Sequence, residues 1–512
     1  MRKSKSYSAL LACAILLPIS VDSSKASPVD APPQGQARYT DSYESLKNYT
    51  APEWFEDAKI GFWVHWGVYS VPAFKGDHAA EWYGRWMYAT GQNGEKRGLA
   101  TNRHHEETYG NPAVFGYKDF IPMFKAEKFD AKEWADLCVR GGAKFFCMMG
   151  AHHDNFALWN TKFSRFNSVQ MGPKRDLVGE IEKAVRARGL KFGVSNHSGW
   201  NPVFFQYNFL NKADAMDPQW QDLYGNPVIE GKKVRASERD LNRWLERTKE
   251  LCDLYKPDLY YFDWDINGAD FESRRIEFAA HYYNKGIEWG VGRAGAPGVV
   301  MTYKNKAFPA GSAVFDHERG KENKISPMVW QTDDSIFDGH NWSYVENTPI
   351  KPANTIIDGL VDIVSKRGVL MLSFGPKADG TFPDDQKHLM LAIGDWLKIN
   401  GEAIYATRPW ITFGEGSIRF TRDKSKPVLY ATLLDWPKDK AVNIQALNST
   451  VVDKSEIQSI TMVGVTGELE WEQDATALKV TMPSKKPGYD HAFPLKIVFK
   501  TLPGIKNQTQ EK

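Results

Sequence analysis

Cysteine is scarce in this 512-residue chain, four in all, and Cys13 falls in the N-terminal apolar segment. Cys138, Cys147 and Cys252 remain, an odd number set inside apolar patterns, so a disulfide framework is not expected and buried thiols are. No CxxC pair is present to hold zinc or a redox centre. Charge of one sign is also lacking. With 65 Lys and Arg against 63 Asp and Glu, the formal net charge is +2, which offers no electrostatic footprint for nucleic acid or an anionic membrane. The ligand implied is small or neutral. Past the N-terminus no apolar run reaches the about 20 residues of a spanning helix, and no internal repeat of about 20–50 residues stands out.

Aromatic residues are abundant. The 18 Trp, 21 Tyr and 28 Phe make up 13% of the chain, while the apolar (42%) and charged (25%) fractions are ordinary for a globular protein. Such rings fill cores and also line sugar-binding clefts. At the N-terminus Arg2, Lys3 and Lys5 precede an apolar run from Ala9 to Val21 and small or polar residues at Ser24, Ala26 and Ser27. This is the pattern of a signal peptide over residues 1–27, which makes the mature chain periplasmic or secreted. Leu10-Leu11-Ala12-Cys13 has the form of a lipoprotein box, but the apolar run continues past Cys13, where such a box ends it.

The length implies two or three units. Residues 28–411 alternate short apolar runs with helical patterns, the rhythm of an α/β fold with a (β/α)8-like barrel. Eight strands are expected, at Ile60 to His65, Phe145 to Met149, Phe192 to Asn196, Leu259 to Asp263, Val299 to Thr302, Ala313 to Asp316, Met328 to Trp330 and Val369 to Phe374. Helices are expected at Ala131 to Val139, opened by a capping box of Asp130 and Glu133, at Leu177 to Arg188 ending on Gly189, and at Glu238 to Tyr255 stopped by Pro257. Residues 412–504 turn to short alternating segments separated by Gly, Pro and Asp, which predicts a C-terminal antiparallel β-sandwich. The tail at 505–512 is polar and expected to be loose.

In a β/α barrel the active site forms where strands end, so polar residues closing apolar strands carry the chemistry. Asp263 closes Leu259-Tyr260-Tyr261-Phe262; it is a candidate nucleophile, or a helix N-cap, with Asp265 a competing carboxylate. Asp316-His317-Glu318-Arg319-Gly320 places a second acidic cluster after a later strand. Asp263 and Glu318 can supply the two carboxyls of a retaining glycosidase, although an acid beside Arg319 also reads as an ion pair. His65, His152 and His153 end two other strands. Neutral imidazoles there suit sugar hydroxyls; as metal ligands the adjacent His152 and His153 are poorly matched, because neighbouring side chains diverge on an extended chain. Tryptophans cluster near the strand ends, among them Trp63, Trp82, Trp264, Trp330 and Trp342.

Six blocks, in order, resemble glycoside hydrolase family 29, the α-L-fucosidases. They are Phe55 to Phe62 with His65-Trp66-Gly67 and Glu81-Trp82-Tyr83; Gly142-Ala143-Lys144 through His152-His153-Asp154; Tyr255-Lys256-Pro257-Asp258-Leu259 to Asp263; Trp330-Gln331-Thr332 with Ser335-Ile336; Gly359 to Asp362 through Gly375-Pro376 and Ala378-Asp379-Gly380; and Asn400 to Tyr405. The resemblance implies a barrel with irregular helices, a C-terminal β-sandwich, and a retaining mechanism with no metal or organic cofactor. It implies Asp263 as nucleophile and Glu318, in preference to Glu322, as acid/base. His65, Glu81, His152 and His153 fall on positions that hold the sugar, with Trp82, His197, Trp264 and Trp330 as further contacts. Two departures stand out: Asn196-His197-Ser198 after the third strand, and Thr302-Tyr303-Lys304 where many members carry Asn-Asp-Arg. The expected partner is a fucosylated oligosaccharide or polysaccharide, with a homo-oligomer left open. Action on α-L-galactose or on sulfated fucose chains, for which Lys304 and Arg319 would be the basic residues, and a non-catalytic fucose-binding protein are the alternatives.

Overall fold

The computed structural model describes residues 38–92, 95–293 and 295–504; the expected signal peptide and the polar tail lie outside them. Eight strands pair in parallel and close into a barrel in chain order: β1 (Ile60–Val64), β2 (Phe145–Ala151), β3 (Lys191–Asn196), β4 (Leu259–Tyr261), β5 (Val300–Tyr303), β6 (Val314–Glu318), β7 (Trp330–Ser335) and β8 (Gly368–Phe374), with β8 beside β1. β1, β2 and β8 are buried along their whole length, as strands are when side chains fill one face and helices cover the other. The barrel is tight at the β1–β2 seam, where any side chain at Gly61 would collide with the Phe145 ring.

Helices Ala131–Arg140, Leu177–Ala187 and Glu238–Tyr255 feed β2, β3 and β4. Asp130 caps the first through the amides of Lys132 and Glu133, but no capping box forms there, because Glu133 pairs with Lys387 at 2.7 Å. The reciprocal box instead opens the third helix, between Ser237 and Asp240. Among the described residues no helix separates β5 from β6 or β6 from β7. Those connections carry Pro309, Gly311, Gly320 and Pro327 and no apolar repeat of helical period, so the helical ring is open on that side.

The seventh strand departs from the sequence expectation. It begins at Trp330 rather than ending there and continues through Gln331-Thr332-Asp333-Asp334-Ser335. β4 stops at Tyr261, two residues before Asp263.

Beyond the barrel, Thr407–Glu415, Ile418–Asp423, Val428–Leu433, Phe493–Phe499 and Ile457–Met462 form one antiparallel sheet; Ala441–Ile444, Leu478–Thr481 and Trp471–Gln473 form a second. Their inward residues, including Leu429, Ile460, Leu495, Ile444 and Leu478, are buried. The first of these strands runs across residue 411, where the sequence texture changes. Cys138, Cys147 and Cys252 are free, buried thiols.

Candidate active site

The first seven barrel strands, β1 to β7, send polar side chains to their C-terminal ends, and these meet around a cavity of about 190 Å³. That is below the roughly 300–1,000 Å³ of pockets for drug-sized ligands, room for one small ring rather than a chain. Trp63, Trp82, Trp264, Trp342 and Tyr261 line its walls.

Asp263 lies in this cavity at 7% exposure. It precedes the short turn Trp264–Ile266 but its side chain makes no capping bond, which removes the N-cap reading. Its Oδ1 is 3.1 Å from Lys304 Nζ at the end of β5, an ion contact without hydrogen-bond geometry; Oδ2 faces His197 Nδ1 at 3.6 Å and His153 Nε2 at 3.8 Å. Asp265 does not compete. Its Oδ2 accepts the Gly199 amide at 2.9 Å, and burial, with Asp263 nearby, pushes its carboxyl well above the usual range.

Glu318 ends β6 and reaches the same ammonium, Oε2 to Lys304 Nζ at 3.2 Å. The nearest oxygens of Asp263 and Glu318 are therefore no farther apart than two contacts laid end to end. Burial raises the Glu318 carboxyl above its ordinary 4.5, with Lys304 pulling the other way and Asp333 and Asp263 adding to the rise. Strand alternation explains the choice of acid. Asp316 and Glu318 point inward, whereas His317 points out to Glu322 at 3.1 Å, so Glu322 is on the far side of the wall.

The β1, β2 and β3 ends supply imidazoles. His65 Nδ1 pairs with Ser373 Oγ of β8 at 2.8 Å, and His153 Nδ1 pairs with the His197 carbonyl at 2.6 Å. Burial holds His65, His152 and His197 well below the ordinary histidine range and His153 at about 4, so all four are neutral at pH 7. The expected divergence of His152 and His153 does not occur. The register shifts between Met149 and Ala151 at the end of β2, and the two rings lie 4.6 Å apart on the same side. Glu81 is 1% exposed; its Oε2 takes the Ser343 hydroxyl at 3.1 Å, its Oε1 has no partner, and burial raises it to about 7.

Of the expected contacts, Trp82, His197 and Trp264 line the cavity with the residues above. Trp330 does not. Placed at the start of β7, it lies at the opposite end of the strand, where its indole donates to the Lys366 carbonyl at 2.9 Å. Asp333, near the other end of β7, is the acid that sequence reasoning missed. It accepts Lys304 Nζ at 3.0 Å and the Tyr261 hydroxyl at 2.9 Å. Lys304, read from sequence as a basic residue for sulfate, is 4% exposed and fully occupied by three carboxylates. Arg319 is likewise held, against the Trp342 ring and the Asn341 carbonyl at 2.7 Å.

The family model for α-L-fucosidase matches residues 28–402, most of the chain. The chain belongs to the α-L-fucosidase family. A separate model, for the α-L-fucosidase C-terminal domain, matches residues 413–498. The chain is 32% identical over 469 residues to rat tissue α-L-fucosidase, covering 88% of this chain and 90% of that one, and 30% identical to the α-L-fucosidase of Dictyostelium discoideum over 472 residues, 90% and 92%. Among solved structures it is similar to Thermotoga maritima α-fucosidase in complex with fucose, with a TM-score of 0.71, 29% identity and coverage of 90% of this chain and 100% of that one. As in other α-L-fucosidases, a closed barrel is joined to a C-terminal β-domain, and the cavity at the strand ends is where this family's chemistry is to be sought.

Proposed function

We propose that this chain is a retaining, exo-acting α-L-fucosidase in which Asp263 attacks the anomeric carbon and Glu318 is the acid/base. The observation that carries the reading is the shared Lys304 ammonium, in contact with both carboxylates. It keeps the nearest oxygens of the pair within two ion contacts of each other, which favours the close pair of a retaining enzyme, about 5–5.5 Å, over the about 6.5–9.5 Å of inverting ones. The small cavity, with room for one ring, supports action on a terminal residue. Neutral His65, His152, His153 and His197 and a Glu81 carboxyl that burial raises to about 7 supply both donors and acceptors for hydroxyls.

In the first step the Asp263 carboxylate forms the bond to C1 as the glycosidic C–O bond breaks, and the Glu318 proton goes to the leaving oxygen. In the second, Glu318 takes a proton from water, whose oxygen displaces Asp263 from C1. The raised carboxyl of Glu318 makes it the group whose deprotonation closes the alkaline limb of kcat/KM. Glu318→Gln is expected to lose about 10²–10⁴-fold on fucosides with poor leaving groups, to release nitrophenol from 4-nitrophenyl α-L-fucoside in a burst, and to lose the alkaline limb; a retained alkaline limb would move the acid role elsewhere. The reading as a whole is tested by comparing 4-nitrophenyl α-L-fucoside with the α-L-galactoside and with sulfated fucosides. Fucoside turnover at the highest kcat/KM supports it, and binding of fucose without turnover favours the non-catalytic alternative.

We also propose that the mature enzyme works outside the cytoplasm, on the strength of the basic, apolar and small-residue order of its first 27 residues. Protein recovered from the periplasm or medium of its host is expected to lack those residues by intact mass; a chain that keeps them and stays in the cytoplasm would refute this.

A further inference from the structure

We propose that the sugar cavity is also a binding site for a borderline divalent transition-metal cation of the zinc class, held by His152, His153 and His197 with Asp263 as the fourth ligand, and that cation and sugar exclude one another. The metal contact stands on the geometry of the three imidazoles and the Asp263 carboxylate; only the exclusion rests on the sugar-binding reading above.

One ring nitrogen from each of the three histidines lies within 4.8 Å of the other two, and the residues are 4%, 1% and 2% exposed. Buried polar atoms normally have partners. Here His152 Nδ1 and both nitrogens of His197 have none. His153 gives its Nδ1 hydrogen to the His197 carbonyl at 2.6 Å, which leaves Nε2 with its lone pair facing the cavity. That is the outer hydrogen bond by which metal-binding histidines are oriented. His153 Nε2 and His197 Nδ1 face the same oxygen, Asp263 Oδ2, at 3.8 and 3.6 Å. With zinc–ligand bonds of about 2.0–2.2 Å, tetrahedral neighbours stand roughly 3.3–3.6 Å apart, so these edges are already close to the spacing an ion needs, and small ring rotations draw in the third imidazole.

The nearby cation does not forbid it. Lys304 contacts Oδ1 rather than Oδ2 and is answered by Asp333 and Glu318 as well as Asp263, so the carboxylates outnumber it. Soft and borderline cations follow from the donor set, since imidazole nitrogen is a poor match for magnesium or calcium. A bound ion would occupy the imidazoles that face the sugar hydroxyls and would cover the nucleophile oxygen. Among the described residues the other three-donor group is Cys252, Asp253 and His281. Its His281 and Asp253 satisfy each other at 2.9 Å and its thiol is fully buried, so it serves as a control.

The test is calorimetric titration of the mature chain with Zn²⁺, paired with Co²⁺ as a visible-absorption probe of tetrahedral coordination. One saturable site per chain is expected, with tetrahedral Co²⁺ bands. Affinity should fall at least about tenfold in His197→Asn, remain unchanged in His281→Asn, and weaken in the parent when L-fucose is at saturation. Zn²⁺ should raise KM for 4-nitrophenyl α-L-fucoside, reversibly by chelator. Absence of a one-equivalent site, binding that survives His197→Asn, or binding abolished by His281→Asn would overturn the metal site; binding indifferent to fucose would overturn the exclusion. A chain that binds zinc through His197 but hydrolyses no fucoside would keep the metal site and refute the sugar reading.

Discussion

Alanine at position 263 is expected to lower kcat on 4-nitrophenyl α-L-fucoside by about 10⁴- to 10⁶-fold, the scale on which removal of a covalent nucleophile acts. Azide should restore part of the rate and yield a fucosyl azide of inverted configuration, because a small anion can enter the space the carboxylate leaves. Three features of the site support so large an effect. Asp263 is 7% exposed, so bulk water cannot readily take its place; its side chain caps no helix, so it has no competing structural task; and Asp265 is tied to the Gly199 amide at 2.9 Å, so no neighbour can substitute. Alanine activity within tenfold of the parent would remove the assignment.

Lys304→Met is the second substitution with a large expected effect. Its ammonium contacts Asp263, Glu318 and Asp333 at 3.1, 3.2 and 3.0 Å, and Asp316 adds to the same field. Removing it leaves those carboxylates without their common counter-ion. Breaking a buried pair in this way typically costs about 3–5 kcal/mol, and the altered charge and placement of the nucleophile should lower kcat/KM by roughly 10²–10³-fold. The pH profile separates the site effect from loss of stability. Lys304 holds the Glu318 carboxyl down against the rise that burial imposes. Without it Glu318 keeps its proton to higher pH, and the alkaline limb should move upward. Lys304→Arg, which restores charge, should bring the limb back. A Lys304→Met enzyme with a limb at the parent's pH would show that the lysine does not act on the acid/base.

The ammonium also suggests how the acid becomes a base. While Asp263 is ionised, Lys304 divides its attraction among three acids. Once Asp263 is esterified to the sugar, more of that attraction falls on Glu318, which favours its ionised form when water must be activated.

The barrel was legible because its strands are short apolar runs between helices of clear 3.6-residue period, as in Glu238–Tyr255, whose ends match the expectation. Asp263 was legible for the same reason: a carboxylate that ends an apolar, aromatic run is conspicuous. β7 was not. Its residues Gln331-Thr332-Asp333-Asp334-Ser335 are polar and almost all buried: Asp333 faces the cavity, while Gln331, Thr332 and Asp334 answer Asp316, the His317 carbonyl and Lys351, and hydrophobic periodicity cannot find a strand buried through polar partners. Misplacing that strand misplaced Trp330 and hid Asp333. The available signal was the polarity itself, five polar residues in a row at the spacing where a barrel strand was due. Lys304 was visible in sequence as a departure from the family pattern, but its role depends on three acids from three other strands, which only the closed barrel brings together. Likewise His152 and His153 converge through a register shift that no residue type announces.

The central claim is that fucose becomes covalently attached to Asp263 during turnover, and trapping tests it most directly. The parent enzyme would be treated with 2-deoxy-2-fluoro-fucosyl fluoride, which slows both steps and makes the intermediate accumulate, then digested and mapped by mass spectrometry. The account predicts one fluorofucosyl unit per chain, on the peptide that contains Asp263 and on that side chain. A label on Glu318 or Asp333, or an enzyme that turns over the reagent with inversion and never carries a label, would contradict it.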